Sequence, residues 1–401
     1  MIPFSPPRID DKIIEEVIST LKSGWITTGP RTKLFEKKIT EYCGNKATLC
    51  LNSATAGLEL MLRWFGVENG DEVIIPAYTY CATANVVIHC GAKPVFVDIS
   101  DDFNISIKNI ENAITKNTKV IIPVDIAGFP CDFDEINQLV IKYKSEFISK
   151  TTEQKKLGRI LVISDAAHSI GAIYKDQKTG NLTDISVFSF HAVKNLTTAE
   201  GGAVCLNLPL PFDNEELYKY LCIKSLHGQN KDALAKSQIG NWRYDVIEAG
   251  YKFNMTDIQA AIGLIELERY DTDMLKKRRS IFSKYSEALS KYGWAQIPIY
   301  ETSEKTSSYH VFLLRIKGVD EEKRDQIIQK IFSKGVSVNV HFIPVPMMTF
   351  YKNLGYKISD YPLAYNNYSR EITLPVYYDL TNEQIDTVIS AVIDSVEEII
   401  N

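Results

Sequence analysis

The stretch SFHAVKNLTTAEGG, residues 189–202, places Lys194 among hydroxyl, imidazole and small side chains, directly after an apolar run at residues 185–190. Such a short apolar run is typical of a buried strand. A lysine amine attacks an aldehyde efficiently only when burial or neighbouring groups bring its pKa well below about 10.4. The pattern therefore predicts a strand that ends at a lysine able to form a Schiff base. The alternative is a solvated lysine just beyond a strand, as most lysines are.

A second apolar run, residues 160–163, ends in Asp165 and His168. Its unbroken Ile/Leu/Val character is typical of a strand covered on both faces. In open α/β sheets ligands bind beyond the carboxyl ends of strands, so Asp165 and Lys194 can address one ligand. A carboxylate on a pyridine nitrogen and a lysine on an aldehyde describe pyridoxal 5'-phosphate (PLP), whose ring is an electron sink.

A third segment fits the phosphate of such a cofactor. Residues 47–51 predict a strand, residues 52–55 a turn and residues 56–62 the start of a helix. Free backbone N–H groups and hydroxyls at a helix N-terminus form an anion site, and small residues allow close approach. An ordinary helix cap made by Ser53 or Thr55, without a ligand, is the alternative.

The order of the predicted elements indicates an α/β fold. Strand-like runs alternate with helical spacing, which predicts a mostly parallel sheet with helices on both faces. These runs are residues 48–51, 72–75, 94–97, 120–124, 160–163, 187–190 and 203–206.

The last third of the chain predicts a smaller α+β domain. Helical periodicity over residues 257–292 indicates a helix that leaves the large domain. We expect a large domain at residues 1–265 and a small one at residues 266–401. The elements expected after the long helix are strands at 311–316, 336–341 and 372–374 and helices at 321–334 and 383–399.

Composition excludes several classes of protein. With 401 residues and 45% apolar content, the chain can bury a large core. A formal charge of −5 argues against nucleic acid as a partner. The seven cysteines show no Cys-x-x-Cys pairing, which suits a reducing cytoplasm. No run approaches the roughly 18 apolar residues of a membrane span, and no metal-binding motif is present.

Six motifs together resemble PLP-dependent sugar-nucleotide aminotransferases of the DegT/StrS type, within the fold-type I enzymes. Among these, the motifs are most similar to those of the aminotransferases that form UDP-4-amino-4-deoxy-L-arabinose. The motifs are SGWITTGP at 23–30, NSATAGLEL at 52–60, DEVIIPAYTYCATAN at 71–85, SDAAHSIGA at 164–172, SFHAVKNLTTAEGG at 189–202 and GYKFNMTDIQAA at 250–261.

The resemblance implies a large domain with a seven-stranded sheet and an N-terminal arm, and it implies roles for residues around the ring. Lys194 and Asp165 would be catalytic: Lys194 would hold PLP and carry the proton, and Asp165 would pair with the ring nitrogen. His168 would lie against the cofactor. Tyr80 would stack on the opposite face, with Tyr78 as the alternative.

The resemblance also implies phosphate ligands and a shared site. Ala54, Thr55 and Ser189 would hold the phosphate, and His191 would lie behind these direct ligands. Family members take a further ligand from the neighbouring subunit. Asn241 is the best match for it here, with Arg243 as the alternative, so we expect a homodimer.

Substrate contacts are expected at two places. Trp25 and Thr28 lie on a glycine-containing loop where the family meets the sugar, while His310 and His341 lie in predicted strands of the small domain. Each of these side chains could instead be packed in the structure. The sequence singles out no arginine as the clamp for a glutamate carboxylate.

The expected reaction is transfer of an amino group from L-glutamate to the keto carbon, C4, of a nucleotide-linked keto-deoxysugar. A 3-aminotransferase on a 3-keto sugar nucleotide and a non-catalytic PLP- or sugar-binding regulator are the alternatives. The related sugar 3-dehydratases carry histidine where this chain has Lys194, and a regulator would lack the lysine or the aspartate. A nicotinamide-dependent dehydrogenase would need a Gly-x-Gly-x-x-Gly turn, and a zinc hydrolase would need a His-Glu-x-x-His helix. The sequence contains neither motif.

Overall fold

The computed structural model describes residues 1–231 and 242–400, which contain thirteen strands. In chain order they are β1 (Ala47–Leu51), β2 (Glu72–Pro76), β3 (Lys93–Val97), β4 (Thr118–Ile121), β5 (Leu161–Asp165), β6 (Ile173–Tyr174), β7 (Gln177–Lys178), β8 (Ile185–Ser189), β9 (Gly202–Leu206), β10 (Ala295–Gln296), β11 (Lys305–Thr306), β12 (Phe312–Ile316) and β13 (Glu371–Leu374).

Fourteen α-helices lie in the described part of the chain. They are α1 (Asp11–Lys22), α2 (Pro30–Cys43), α3 (Ala54–Trp64), α4 (Cys81–His89), α5 (Ile107–Ala113), α6 (Phe133–Lys142), α7 (Thr152–Leu157), α8 (Asn214–Lys224), α9 (Asp257–Glu268), α10 (Leu275–Leu289), α11 (Glu321–Ser333), α12 (Thr349–Asn353), α13 (Pro362–Tyr368) and α14 (Asn382–Ile400). Short 3₁₀ turns occur at Ile126–Gly128, Lys144–Glu146, Val345–Met347 and Ile358–Asp360.

A seven-stranded sheet in the order β1-β9-β8-β5-β4-β2-β3 forms the centre of the larger part of the molecule. Strands β3, β2, β4, β5 and β8 pair in parallel, while β9 runs antiparallel to both β8 and β1. The predicted mostly parallel sheet of seven strands is therefore confirmed.

Helices cover both faces of this sheet because successive strand residues point to opposite sides. On β2, for example, Val73 and Ile75 pack into the core that includes α3 and α4. Ile74 between them packs on the other side with residues of α6, such as Ile136. This two-sided burial explains why the strands read as continuous apolar runs in the sequence.

A second core lies in the smaller, carboxyl-terminal part, where the antiparallel sheet β10-β12-β13 packs against α10, α11 and α14. The predicted strands at 311–316 and 372–374 are present as β12 and β13. The boundary between residues 265 and 266 stays a prediction. The helix predicted over residues 257–292 is present in two parts, α9 and α10, joined by a π-helical turn at Tyr270–Met274.

The predicted strand at residues 336–341 is wrong. Only two isolated bridges form there, from Val336 to Ile2 and from Asn339 to Thr373. The physical reason is a contact between distant residues, because the backbone N–H of His341 donates to the carboxylate of Glu371 (3.0 Å) and so is not used in a strand ladder.

No helix in the described ranges is long and apolar enough to cross a lipid bilayer.

Asp257 at the start of α9 holds the beginning of α2 and the loop before it. Its Oδ1 accepts hydrogen bonds from the N–H groups of Gly29 (2.8 Å) and Thr32 (2.9 Å) and from the Thr32 hydroxyl (2.7 Å). Its Oδ2 accepts from the N–H of Arg31 (3.1 Å). A buried carboxylate therefore satisfies the free donors at the N-terminus of α2.

We expect Asp257→Ala to lower the free energy of unfolding by about 3 kcal/mol, because it leaves buried N–H donors without an acceptor. Asp257→Asn keeps one oxygen for Gly29 and Thr32 and should cost only about 1 kcal/mol. Chemical denaturation of the two variants and the parent protein measures the difference. Equal losses for alanine and asparagine would contradict this account of the carboxylate.

Candidate functional site

A cavity of about 360 Å³ opens at the carboxyl ends of the parallel strands β5 and β8. This is the edge of an α/β sheet where ligands normally bind. Most of the predicted site residues line it. They are Ala54, Thr55, Tyr80, Asp165, His168, Ser189, Lys194, His310 and His341.

Lys194 stands on a tight loop between β8 and β9. The loop is closed by backbone hydrogen bonds from Lys194 to His191 and from Thr198 to Phe190, both 2.9 Å. The side chain is only partly accessible, through the cavity that it lines. Burial lowers the pKa of Lys194 to about 8, against the opposing effect of the Asp165 charge. The solvated surface lysine is therefore not what the structure contains.

Asp165 is the last residue of β5 and is buried. Its Oδ2 accepts a hydrogen bond from the Thr83 hydroxyl (2.7 Å) and its Oδ1 one from the N–H of Ala167 (3.3 Å). Burial raises the pKa of Asp165, while these hydrogen bonds and the charge of Lys194 act in the opposite direction. The carboxylate is thus fixed in place, with its environment tuned by the same lysine.

Thr83 was not anticipated from the sequence. It lies on α4, and its hydroxyl shares a 2.9 Å hydrogen bond with that of Thr79, which lies just before the helix. The only sequence pattern that could have indicated a hydroxyl partner for Asp165 is the pair of threonines, four residues apart, on either side of Tyr80. That signal does not indicate which of the two reaches Asp165.

His168 forms a buried part of the cavity wall. Its ring lies 4.3 Å from that of His310 and stacks on Phe342 at 5.7 Å. Burial, the charge of Lys194 and the nearby His341 keep the pKa of His168 well below its usual range, so the ring is neutral. Its Nδ1 is buried and has no hydrogen-bond partner in the described structure.

The two tyrosines that the sequence left open have different positions. Tyr80 is 59% exposed, lines the cavity and packs against Phe342 at 5.8 Å between ring centroids. Tyr78 is fully buried and donates its hydroxyl to the carbonyl of His341. The geometry therefore favours Tyr80 as the aromatic side chain that meets a ligand ring.

The expected phosphate end lies at the start of α3. Ser53 caps the helix by accepting from the N–H of Ala56 (3.1 Å), and Ala54 and Thr55 face the cavity. A side chain at Gly202 would approach the backbone N of Ala54 to 2.5 Å, so only glycine permits this contact. The helix cap expected as the alternative is present, and Ala54 and Thr55 beside it still line the cavity.

The cavity also contains His191, His310 and His341. His191 is exposed at the mouth, 3.7 Å from a Glu200 carboxylate oxygen. His310 is buried, and its Nδ1 lies 2.7 Å from the side-chain oxygen of Asn195. His341 bonds through Nδ1 to the Thr373 hydroxyl at 3.0 Å.

Two predicted substrate residues do not line the cavity of this chain. The Trp25 indole donates to the carbonyl of Thr28 (3.1 Å), and the Thr28 hydroxyl donates to the carbonyl of Met255 (2.5 Å). Arg243 is exposed, with its guanidinium over the ring of Trp242. Asn241 lies outside the described residues. Within the described residues, no arginine lines the cavity.

The residues present fit PLP on chemical grounds. A helix N-terminus with hydroxyls suits the phosphate, a buried carboxylate suits a ring nitrogen, and an amine of lowered pKa suits the aldehyde. The unpartnered Nδ1 of His168 offers a further polar contact beside them. Together with the sheet topology, these features define a fold-type I PLP-dependent aminotransferase.

The chain belongs to the DegT/DnrJ/EryC1/StrS aminotransferase family, whose model matches residues 7–393. Among curated relatives, the uncharacterised protein MJ1066 of Methanocaldococcus jannaschii is 42% identical, with 99% of this chain and 98% of the relative covered. The spore coat polysaccharide biosynthesis protein SpsC of Bacillus subtilis is 38% identical, with 99% and 97% covered.

Solved structures agree with the family. Spr1654 of Streptococcus pneumoniae, assigned as a sugar aminotransferase, matches in its PMP form with a TM-score of 0.96 and 46% identity over the whole of both chains. Its PLP form matches with a TM-score of 0.95 at 44% identity, again over both whole chains. The Helicobacter pylori aminotransferase PseC, involved in pseudoaminic acid biosynthesis, is 27% identical with a TM-score of 0.86 and 99% of each chain covered. The protein is therefore a PLP-dependent sugar aminotransferase, which acts on a sugar and an amino donor.

We expect the rate at which the apoprotein captures PLP covalently to follow the neutral amine of Lys194. Because its pKa is lowered to about 8, the rate should rise with pH and level off above that value. Below the pKa it should fall about tenfold per pH unit. Stopped-flow absorbance measures the rate, and borohydride fixation followed by peptide mass spectrometry identifies the attached residue.

Lys194→Ala is the control for this measurement and should show no covalent capture. A rate that keeps rising to pH 10 would mean that the amine has the pKa of a solvated lysine.

Proposed function

We propose that the protein transfers an amino group from L-glutamate to the C4 keto carbon of a nucleotide-linked keto-deoxysugar. The observation that carries the proposal is the convergence of Lys194 and Asp165 on one cavity whose wall also contains three neutral histidines. The choice of C4 rests on the likeness of the motifs to those of aminotransferases that form UDP-4-amino-4-deoxy-L-arabinose. The names of SpsC and PseC connect those relatives with polysaccharide and amino-sugar biosynthesis.

Each residue has a defined task in this proposal. Lys194 holds the cofactor and then, as a free amine, takes and returns a proton at Nζ. Asp165 keeps a positive charge on the ring nitrogen, with Thr83 and Ala167 orienting its carboxylate. When bound, PLP supplies an electron sink and carries the amino group from donor to acceptor.

The remaining cofactor contacts position the ring and the phosphate. Tyr80 covers one face of the cofactor ring. Such an aromatic contact stabilises the bound ring by roughly 1 kcal/mol beyond the effect of the buried area. His168 lies against the ring from the other side. The phosphate oxygens accept hydrogen bonds from N–H and hydroxyl groups of Ala54, Thr55 and Ser189.

The test of the reaction is a panel of keto-sugar nucleotides with PLP and L-glutamate. The panel pairs 4-keto and 3-keto sugars on UDP, dTDP and GDP. We expect 4-keto sugars to yield 2-oxoglutarate in a coupled assay and an amino sugar by mass spectrometry, with the amine at C4 by NMR. Lys194→Ala should lower turnover by about 10³-fold or more, because it removes the general acid and base.

Two results would overturn the proposed substrate. Amination of 3-keto sugars in preference to 4-keto sugars would place the reaction at C3. Turnover of free keto sugars as efficient as that of the nucleotide-linked forms would remove the nucleotide from the assignment.

We propose in addition that the active unit is a homodimer with shared sites. Exposed apolar side chains cluster just after Asn241, at Trp242 (70% exposed), Val246 (53%) and Ile247 (55%), and such a cluster is typical of an interface. No arginine lies in the described cavity wall, so in this proposal a second copy of the chain supplies a cation or polar group to the site. Asn241, or Arg243 in its place, would enter the neighbouring site.

Mixed dimers test the shared site. Lys194→Ala and Asn241→Ala should each be strongly impaired alone, because each homodimer lacks one component at both sites. After random subunit exchange, activity should recover to about a quarter of the parent value, since half the dimers then carry one intact site. The pair Lys194→Ala with Arg243→Ala is the matched control for the alternative ligand. No recovery with either pair would contradict a site built from two chains.

A further inference from the structure

His341 is held at the cavity wall from three directions. The ring of Phe4, from the N-terminal segment, stacks on it at 5.5 Å and 20°, and Phe342 packs edge-on at 5.0 Å. The Thr373 hydroxyl lies 3.0 Å from Nδ1. Because Nδ1 is engaged on the protein side, Nε2 is the ring nitrogen left to meet a ligand in the cavity.

Glu371 lies behind this contact and is completely buried on β13. Its Oε1 accepts a hydrogen bond from the Thr373 hydroxyl (2.6 Å). Its Oε2 accepts one from the backbone N–H of His341 (3.0 Å). The carboxylate therefore holds the backbone of His341 directly and its ring through Thr373.

The single proton of the Thr373 hydroxyl links the states of the other two groups. While Glu371 is ionised, Thr373 donates to it, and its oxygen can only accept from Nδ1–H of His341. A neutral imidazole has one N–H, so Nε2 is then an acceptor. When Glu371 is protonated it donates to Thr373, the hydroxyl turns to Nδ1, and the ring proton is on Nε2.

We propose that Glu371 and Thr373 are positioning residues that set whether Nε2 of His341 accepts or donates a hydrogen bond to a sugar hydroxyl. The inference rests on the sugar substrate, and on neither its nucleotide nor the position of amination. Glu371, Thr373 and His341 together determine whether the cavity wall binds that hydroxyl as a hydrogen-bond donor or as an acceptor.

The change from the ionised to the protonated form of Glu371 adds one proton overall, through three linked transfers, and leaves the ring neutral. Nε2 gains a proton from the cavity, Nδ1 passes its proton to the Thr373 oxygen, and Thr373 passes its own to Oε1 of Glu371. An imidazolium is not required. This matters because burial and the charge of Lys194 lower the pKa of His341 to about 3.

The charges around Glu371 place both forms within reach near neutral pH. Burial raises the pKa of Glu371 to about 8, while its hydrogen bonds and the charges of Arg324 and Arg315 oppose that rise. Arg324 also donates to the Glu371 carbonyl (3.0 Å), and the Tyr78 hydroxyl donates to the His341 carbonyl nearby. We therefore expect Nε2 to be a donor below about pH 8 and an acceptor above it.

Nitrogen NMR of ¹⁵N-histidine-labelled holoenzyme reads the ring directly. The chain has six histidines, and the signals of His341 are those lost in His341→Asn. We expect a neutral ring from pH 6 to 10, with its proton on Nε2 at the acid end and on Nδ1 at the alkaline end. A ring that becomes cationic between pH 6 and 8, or a proton that stays on one nitrogen throughout, would overturn the relay.

Thr373→Val and Thr373→Ser form a matched pair, since valine keeps the shape and serine the hydroxyl. Thr373→Val should abolish the tautomer change and lower kcat/KM for the sugar about tenfold relative to the amino donor, the effect of one hydrogen bond. Thr373→Ser should keep both properties. Equal behaviour of the two variants would show that the hydroxyl has only a structural role.

Glu371→Gln provides an independent check if the valine variant does not fold. The amide oxygen must accept the backbone N–H of His341, so its NH₂ group faces Thr373 and imitates protonated glutamate. We expect the proton on Nε2 at every pH, so that nitrogen NMR of this variant shows no tautomer change near pH 8. A tautomer change identical to that of the parent protein would contradict the role of Glu371.

These readouts separate two kinds of failure. The NMR measurement needs no substrate, so an inactive panel of keto-sugar nucleotides would remove the proposed substrate and leave the relay standing. Conversely, an active enzyme with a pH-independent His341 tautomer would remove the relay alone.

Discussion

The site depends on a pair of opposite charges that are both withdrawn from water. Burial raises the pKa of Asp165 and lowers that of Lys194, so each group is pushed toward its neutral form. Each charge also stabilises the other, which limits both shifts. A carboxylate and an amine in this balance are ready to exchange partners with a ligand, because neither is committed to a closed salt bridge.

The sheet brings this pair together at little local cost. Strands β5 and β8 are parallel neighbours, and Asp165 is opposite Val187, two residues before the end of β8. The loop that carries Lys194 therefore begins at the same edge as Asp165. Strand β9 returns antiparallel, so that Gly202 meets the start of α3 where the phosphate is expected. One sheet edge thus collects groups from three separate stretches of sequence.

Local patterns predicted this edge well, because strand ends and turns depend on residues close in sequence. The seven strands and the positions of Lys194 and Asp165 followed from apolar runs and the polar residues after them. Contacts between distant segments could not be predicted in this way. The hydrogen bond from Thr83 to Asp165 spans 82 residues, and the bond from His341 to Glu371 replaced a strand that periodicity alone favoured.

The charge of the cavity wall constrains what the enzyme can bind. Burial comes first among the causes that keep the pKa values of His168, His310 and His341 low, and the charge of Lys194 adds to it. These rings therefore offer hydrogen bonds without charge, which suits the hydroxyl groups of a sugar better than an ionised group of the amino donor. Since no arginine lines the described cavity, that wall offers no guanidinium for bidentate pairing with a carboxylate. The described wall therefore constrains the sugar substrate more closely than it constrains the amino donor.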